Sequence, residues 1–144
     1  MKPERLLCPK PEGLYCAPGD FYIDPVRPVA RAVITHGHAD HARAGHGVVL
    51  ATPETLAIMS TRYGEDFAQR REPSPYGVTT SRDGVDIRLV PAGHVLGSAQ
   101  AVVSHKGLTM VVSGVARTVP WPARAWSAWP WVITARSTGR TGSI

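Results

Sequence analysis

A short apolar run, Ala32-Val33-Ile34, leads directly into Thr35-His36-Gly37-His38-Ala39-Asp40-His41, which packs three imidazoles and one carboxylate into seven residues. No other stretch restricts the fold as strongly. Imidazole and carboxylate groups coordinate transition metals, and donors this close in sequence converge on an ion only if a fixed loop presents them. The apolar run reads as a buried strand. The chain therefore needs a sheet with a strand that ends at Ile34 and a loop held against its edge.

A catalytic zinc site takes three protein ligands and keeps one position open for water. His36 and His38, two residues apart, can share one ion. Asp40 and His41 can reach a second ion or orient the first set of ligands, and a carboxylate supplies negative charge in either role. His94 lies in the loop Pro91-Ala92-Gly93-His94-Val95-Leu96-Gly97-Ser98, where two glycines allow close backbone approach. His105 belongs to a hairpin turn and reads as solvated. His46 reads as a surface residue or a support behind the ligands.

The chain of 144 residues is long enough for one domain with a real core. Its hydrophobic content of 43% and charged content of 19% fit a globular protein, and Gly 14 with Pro 13 implies short elements joined by turns. Cys8 and Cys16 are too few for a disulfide framework and read as free or buried thiols. No apolar run is long enough to span a membrane and no secretory leader is recognised, so a cytoplasmic location is expected.

Short strands are expected at residues 13–16, 21–23 and 31–35, with Ala17-Pro18-Gly19-Asp20 as a turn between the first two. Residues 1–11 read as a polar lead-in. After the His-rich loop, residues 48–51 form a buried strand and Thr52 caps a helix that has Pro53 at its first position and Gly64 at its stop. Leu56, Met59 and Tyr63 give that helix an apolar stripe. Residues 65–84 read as loop with one short strand. Residues 85–90 alternate with period two, and 99–104 with 108–113 form a hairpin. The expected class is α/β or α+β, a sandwich whose loops gather at one edge.

The run His36-x-His38-x-Asp40-His41 after a strand resembles the signature of the metallo-β-lactamase superfamily. Ala92-Gly93-His94-Val95-Leu96-Gly97-Ser98-Ala99 is similar to its nucleic-acid nuclease branch. The opening Leu14-Tyr15-Cys16 and Gly19-Asp20-Phe21-Tyr22-Ile23-Asp24-Pro25 resembles the bacterial DNA exonucleases of that branch, which are associated with an ATP-dependent DNA ligase and a helicase in DNA repair and are often labelled mRNA 3′-end processing factors. The resemblance covers about residues 5–114. It implies an αββα sandwich with two zinc ions at one edge. It implies His36, His38 and His94 as ligands of the first ion, and Asp40 and His41 as ligands of the second. The implied reaction is attack of a metal-activated hydroxide on phosphorus, with Asp40 orienting the hydroxide, at DNA ends.

The resemblance stops at Gly114. There the family carries an aspartate that bridges the two metals, and this chain has Val115. The family's later histidines and its nucleic-acid-gripping cap find no counterpart before Ile144. Residues 1–114 carry 12 Lys and Arg against 11 Asp and Glu, whereas residues 115–144 carry four Arg, all four Trp and no acid. Two readings of this segment stand: translation of a GC-rich coding sequence in a shifted frame, or a genuine tail that binds nucleic acid through Arg and Trp. The expected organisation is thus a partial metallo-β-lactamase-type domain over 1–114, the amino-terminal half of the sandwich, followed by a non-homologous tail outside the fold over 115–144. Three functions follow: a metal-dependent phosphodiester hydrolase, impaired by the missing second-site ligand; an inactive fragment that binds at most one zinc; and, less favoured, a small-molecule ester, lactone or thioester hydrolase.

Overall fold

The computed structural model describes residues 1–114 and the backbone of residues 132–137. The opening is more than a lead-in. A single helical turn, α1 (Pro3–Leu6), runs into β1 (Leu7–Lys10), and Leu6 and Leu7 are buried in the main core. Two adjacent leucines in a polar stretch give no periodicity, yet they suffice to anchor it. β1 pairs antiparallel with β2 (Gly13–Cys16), and the turn at 17–20 returns the chain as β3 (Phe21–Ile23). Leu7 lies opposite Cys16 and Cys8 opposite Tyr15, so the two free thiols face opposite sides of the sheet.

β4 (Arg31–Val33), β5 (His46–Ala51) and β6 (Ala68–Pro73) then add in parallel, which completes a six-stranded sheet in the order of the chain. A parallel pair needs a crossover, and α2 (Pro53–Tyr63) supplies it between β5 and β6. Thr52 is its N-cap, with its hydroxyl accepting from the Thr55 amide at 3.3 Å, and Gly64 ends it. The second sheet contains β7 (Thr79–Arg82), β8 (Val85–Pro91), β9 (Ala99–His105), β10 (Leu108–Ser113) and β11 (Val132–Ser137), all antiparallel to their neighbours. Lys106 and Gly107, both at positive φ, close the β9–β10 hairpin.

Residues 65–84 thus hold two strands, β6 and β7, where one was expected. No residue of either is buried, so pairing rather than burial selects them, and no apolar alternation marks them. The expected boundary at Gly114 concerns residues of which only 132–137 are described. Their backbone pairs with β10 from Ser113 opposite Val132 to Leu108 opposite Ser137.

The fold is of mixed α and β type, and its core has two parts. Phe21, Ile23, Val33 and Leu50 from the first sheet meet Val85, Ile87, Leu89, Val103 and Val112 from the second, so the sheets pack face to face. On the other face of the first sheet, Ala32, Ile34, Val49 and Ala51 meet Leu56 and Met59 of α2. Strand β4 is therefore apolar on both faces, as a strand buried between layers must be. The carboxyl ends of β3, β4, β5 and β8 open at one edge, joined there by the end of β10. The two sheets are tied at that edge by the Ala99 amide donating to the Thr35 carbonyl at 2.7 Å.

Candidate metal centre

The loop after β4 carries the histidine run to this edge, and the loop after β8 carries His94 to meet it. The rings of His36, His38 and His94 form a near-equilateral triangle, with centroids 5.0 Å (His36–His38), 5.3 Å (His36–His94) and 4.9 Å (His38–His94) apart. His38 Nδ1 and His94 Nε2 face one another at 3.2 Å across 56 residues of sequence. Tetrahedral zinc with Zn–N of about 2.0–2.1 Å separates two ligand nitrogens by roughly 3.3–3.4 Å, so this spacing fits one shared ion. His36 is buried, whereas His38 and His94 are exposed, which leaves the open side towards solvent. The three form a group that can hold a metal ion.

A second group that can hold an ion consists of Asp24, His36 and His41, all buried. Asp24 follows β3 in a left-handed backbone conformation, φ +45°, which Asp tolerates better than most residues. Its Oδ1 accepts from the Thr35 amide at 2.8 Å, and its Oδ2 accepts from the Thr35 hydroxyl at 2.6 Å and from His41 Nδ1 at 2.8 Å. The single hydroxyl proton of Thr35 is committed to Asp24. Its oxygen therefore accepts from His36 Nδ1 at 3.0 Å. One carboxylate selects the tautomer of two histidines, His41 directly and His36 through Thr35, so that in the neutral rings both Nε2 atoms carry the lone pair. This is the arrangement by which a carboxylate behind a histidine orients a metal ligand.

Asp40, whose side chain is 74% exposed, places Oδ2 3.4 Å from His41 Nε2, again a separation two ligands of one ion can have. Burial, reinforced by repulsion from His41, lowers His36 to a pKa of about 4, so it is a neutral donor at pH 7. Burial also pushes His41 down, but the Asp24 hydrogen bond and charge outweigh it and raise its pKa above the ordinary value. Gly114 closes the floor of the site: a Cβ there would lie 2.5 Å from Thr35 Oγ1 and 3.0 Å from Asp24 Oδ2. The residue after it is Val115, which offers no ligand atom.

No family model matches the chain. Over 94 residues, 65% of its length, the chain is 34% identical to a protein of Opitutus terrae named a probable DNA ligase. The chain spans 9% of that relative.

All five residues singled out in the sequence lie at this edge. The structure adds Asp24 and Thr35, which the spacing of the histidines does not announce; the one sequence cue is a carboxylate directly after a strand. His46 is neither at the surface nor behind the ligands. It is buried at the opposite end of β5, where its Nδ1 accepts from the Val29 amide at 3.2 Å and its Nε2 has no hydrogen-bond partner. His105 is half-buried at the end of β9 and bonds the Gly84 carbonyl at 2.6 Å through Nδ1.

Proposed function

We propose that this chain belongs to the nuclease branch of the metallo-β-lactamase superfamily and is built for metal-dependent phosphodiester hydrolysis on DNA. The observation that carries this reading is the 3.2 Å approach of His38 Nδ1 to His94 Nε2, with the His36 ring about as near to both. Two ring nitrogens that close share either a proton, as a hydrogen bond between neutral rings, or a cation; the third imidazole beside them and the open side suit zinc. DNA as substrate is supported by the likeness to a protein named a probable DNA ligase and by the string Ala92–Ala99. An ATP-dependent DNA ligase and a helicase are the partners this reading suggests, and DNA ends its point of action.

A zinc ion, when bound, supplies positive charge to a phosphoryl oxygen and acidifies water to a pKa of about 7. The chain's own residues do the rest. His36, His38 and His94 hold the ion; Asp24 and Thr35 keep His36 and His41 in the ligating tautomer. On this reading the exposed Asp40 carboxylate, beside His41, takes a hydrogen bond from the attacking water. Asp40 and His41 are also the start of a second site, which Val115 leaves without the acidic group the resemblance puts there. That residue favours a second reading, a module that binds one zinc and does not turn over DNA.

Metal content and cleavage of end-labelled DNA separate the readings. The expected result is one tightly held zinc per chain, lost in His38→Ala and His94→Ala, with slow metal-dependent cleavage lost in the same variants. One zinc with no cleavage under any divalent metal selects the binding module. Failure to bind zinc, or binding untouched by both substitutions, overturns the proposal.

A further inference from the structure

Each histidine loop must be held at a fixed place if His36, His38 and His94 are to meet, and one element touches both loops. Near its amino end, α2 offers the hydroxyls of Thr52 and Thr55, which donate to the Gly97 carbonyl at 2.7 and 3.2 Å. Near its carboxyl end, Arg62 Nη1 donates to the Gly37 carbonyl at 2.6 Å and the Tyr63 hydroxyl donates to the Ala42 carbonyl at 2.8 Å. Both loops meet the helix with a glycine, and neither position has room for a side chain. A Cβ on Gly37 would lie 2.8 Å from Ile58 Cγ2, and one on Gly97 would lie 2.7 Å from Glu54 Cβ and 2.9 Å from the Thr55 amide nitrogen.

We infer that α2 is a clamp that sets the spacing of the metal-binding histidines, and that Arg62 is the positioning residue for the His36–His38 arm. This inference rests on the metal-binding reading above and assigns it a supporting element. The Gly37 carbonyl lies in the peptide unit that joins Gly37 to His38, so its direction sets how the His38 ring leaves the backbone relative to His36. The Arg62 guanidinium holds that carbonyl from a helix whose opposite end holds the loop of His94. Loss of the guanidinium frees one arm of the triangle while the other stays docked. The expected effect is that of removing a group that orients metal ligands, a loss of about 10-fold or more in metal affinity.

The test is cobalt(II) titration of the full chain, read by its visible absorption, with zinc competition for affinity. Arg62→Met, which keeps the aliphatic stem, is expected to weaken metal binding about 10-fold or more and to reduce the intense tetrahedral cobalt bands. Arg62→Lys, which restores one donor, is expected to recover part of both. Thr61→Ala removes a hydroxyl bond to Ala57 within the same helix and touches neither loop; it is expected to leave affinity and spectrum unchanged. If Arg62→Met does not fold, Thr55→Val reports on the other arm with the same expected direction. Wild-type binding with spectrum and affinity unchanged in Arg62→Met and Thr55→Val overturns the clamp alone. Absence of metal binding by the wild-type chain overturns the clamp and the proposed function together.

Discussion

At the residue scale, Asp24 bears more of the site than any ligand does. Its side chain is fully buried and receives three hydrogen bonds. Asp24→Ala leaves the Thr35 amide, the Thr35 hydroxyl and the His41 ring nitrogen without an acceptor, at about 1–3 kcal/mol for each stranded group. The expected loss is on the order of 3 kcal/mol or more, read from urea midpoints of the metal-free protein. Asp24→Asn, which keeps an acceptor oxygen, is expected to cost less. The five candidate residues were legible because they are close in sequence or set in a Gly-flanked loop. Asp24 was not, because its partners lie 11 and 17 residues away, and a hydrogen bond at that distance leaves no periodic mark. His46 went the same way: a lone histidine in a strand shows nothing of whether its strand end is buried.

At the scale of elements, legibility followed apolar patterning. The buried faces of β8, β9 and β10 alternate cleanly, as does the stripe of α2, and all four were visible. The sequence of residues 65–84 reads as loop with one short strand rather than as β6 and β7, because their residues are mostly polar and only their neighbours make them strands. The alternation along β8 has a measurable counterpart. Ile87 is fully buried between the sheets while Arg88 points away from them. Ile87→Ala is expected to destabilise by about 2–5 kcal/mol, and Arg88→Ala by no more than about 0.5 kcal/mol. Equal losses at both positions would mean that the two sheets do not pack through this face. The cap of α2 is read in the same way: Thr52→Ala is expected to cost about 1 kcal/mol through the helix alone, and more in metal affinity, since the same hydroxyl holds Gly97.

At the scale of the whole molecule, stability should depend on pH through buried imidazoles. Burial lowers His46 from its ordinary value, and burial with repulsion from His41 lowers His36 to about 4. For both, the unfolded chain takes up protons that the fold excludes. Their effect on stability is therefore absent above a pH of about 6.5 and grows as pH falls towards 4. His41 has the opposite sign: its raised pKa contributes stability below about 6.5 that is lost as pH rises through its folded value. The large lowering of His36, with His46 acting in the same direction, sets the expected sign as a net loss on acidification. Urea midpoints of the metal-free protein are expected to be lower at pH 5 than at pH 7, with a shallower fall in His46→Gln. A midpoint that does not fall between pH 7 and pH 5 would show that these histidines protonate without opening the fold.

The meeting of His38 and His94 has a further consequence for the chain as a polymer. An ion that joins them closes a loop between residues 56 apart in sequence, and closing a loop removes freedom from the unfolded ensemble as its length grows. On the proposed reading, zinc bound at this point would be a removable cross-link: it would staple β5, α2, β6, β7 and β8 into one ring and release them when a chelator took it away. The melting temperature should therefore rise with free zinc concentration, in the logarithmic manner of any ligand that binds the folded state alone.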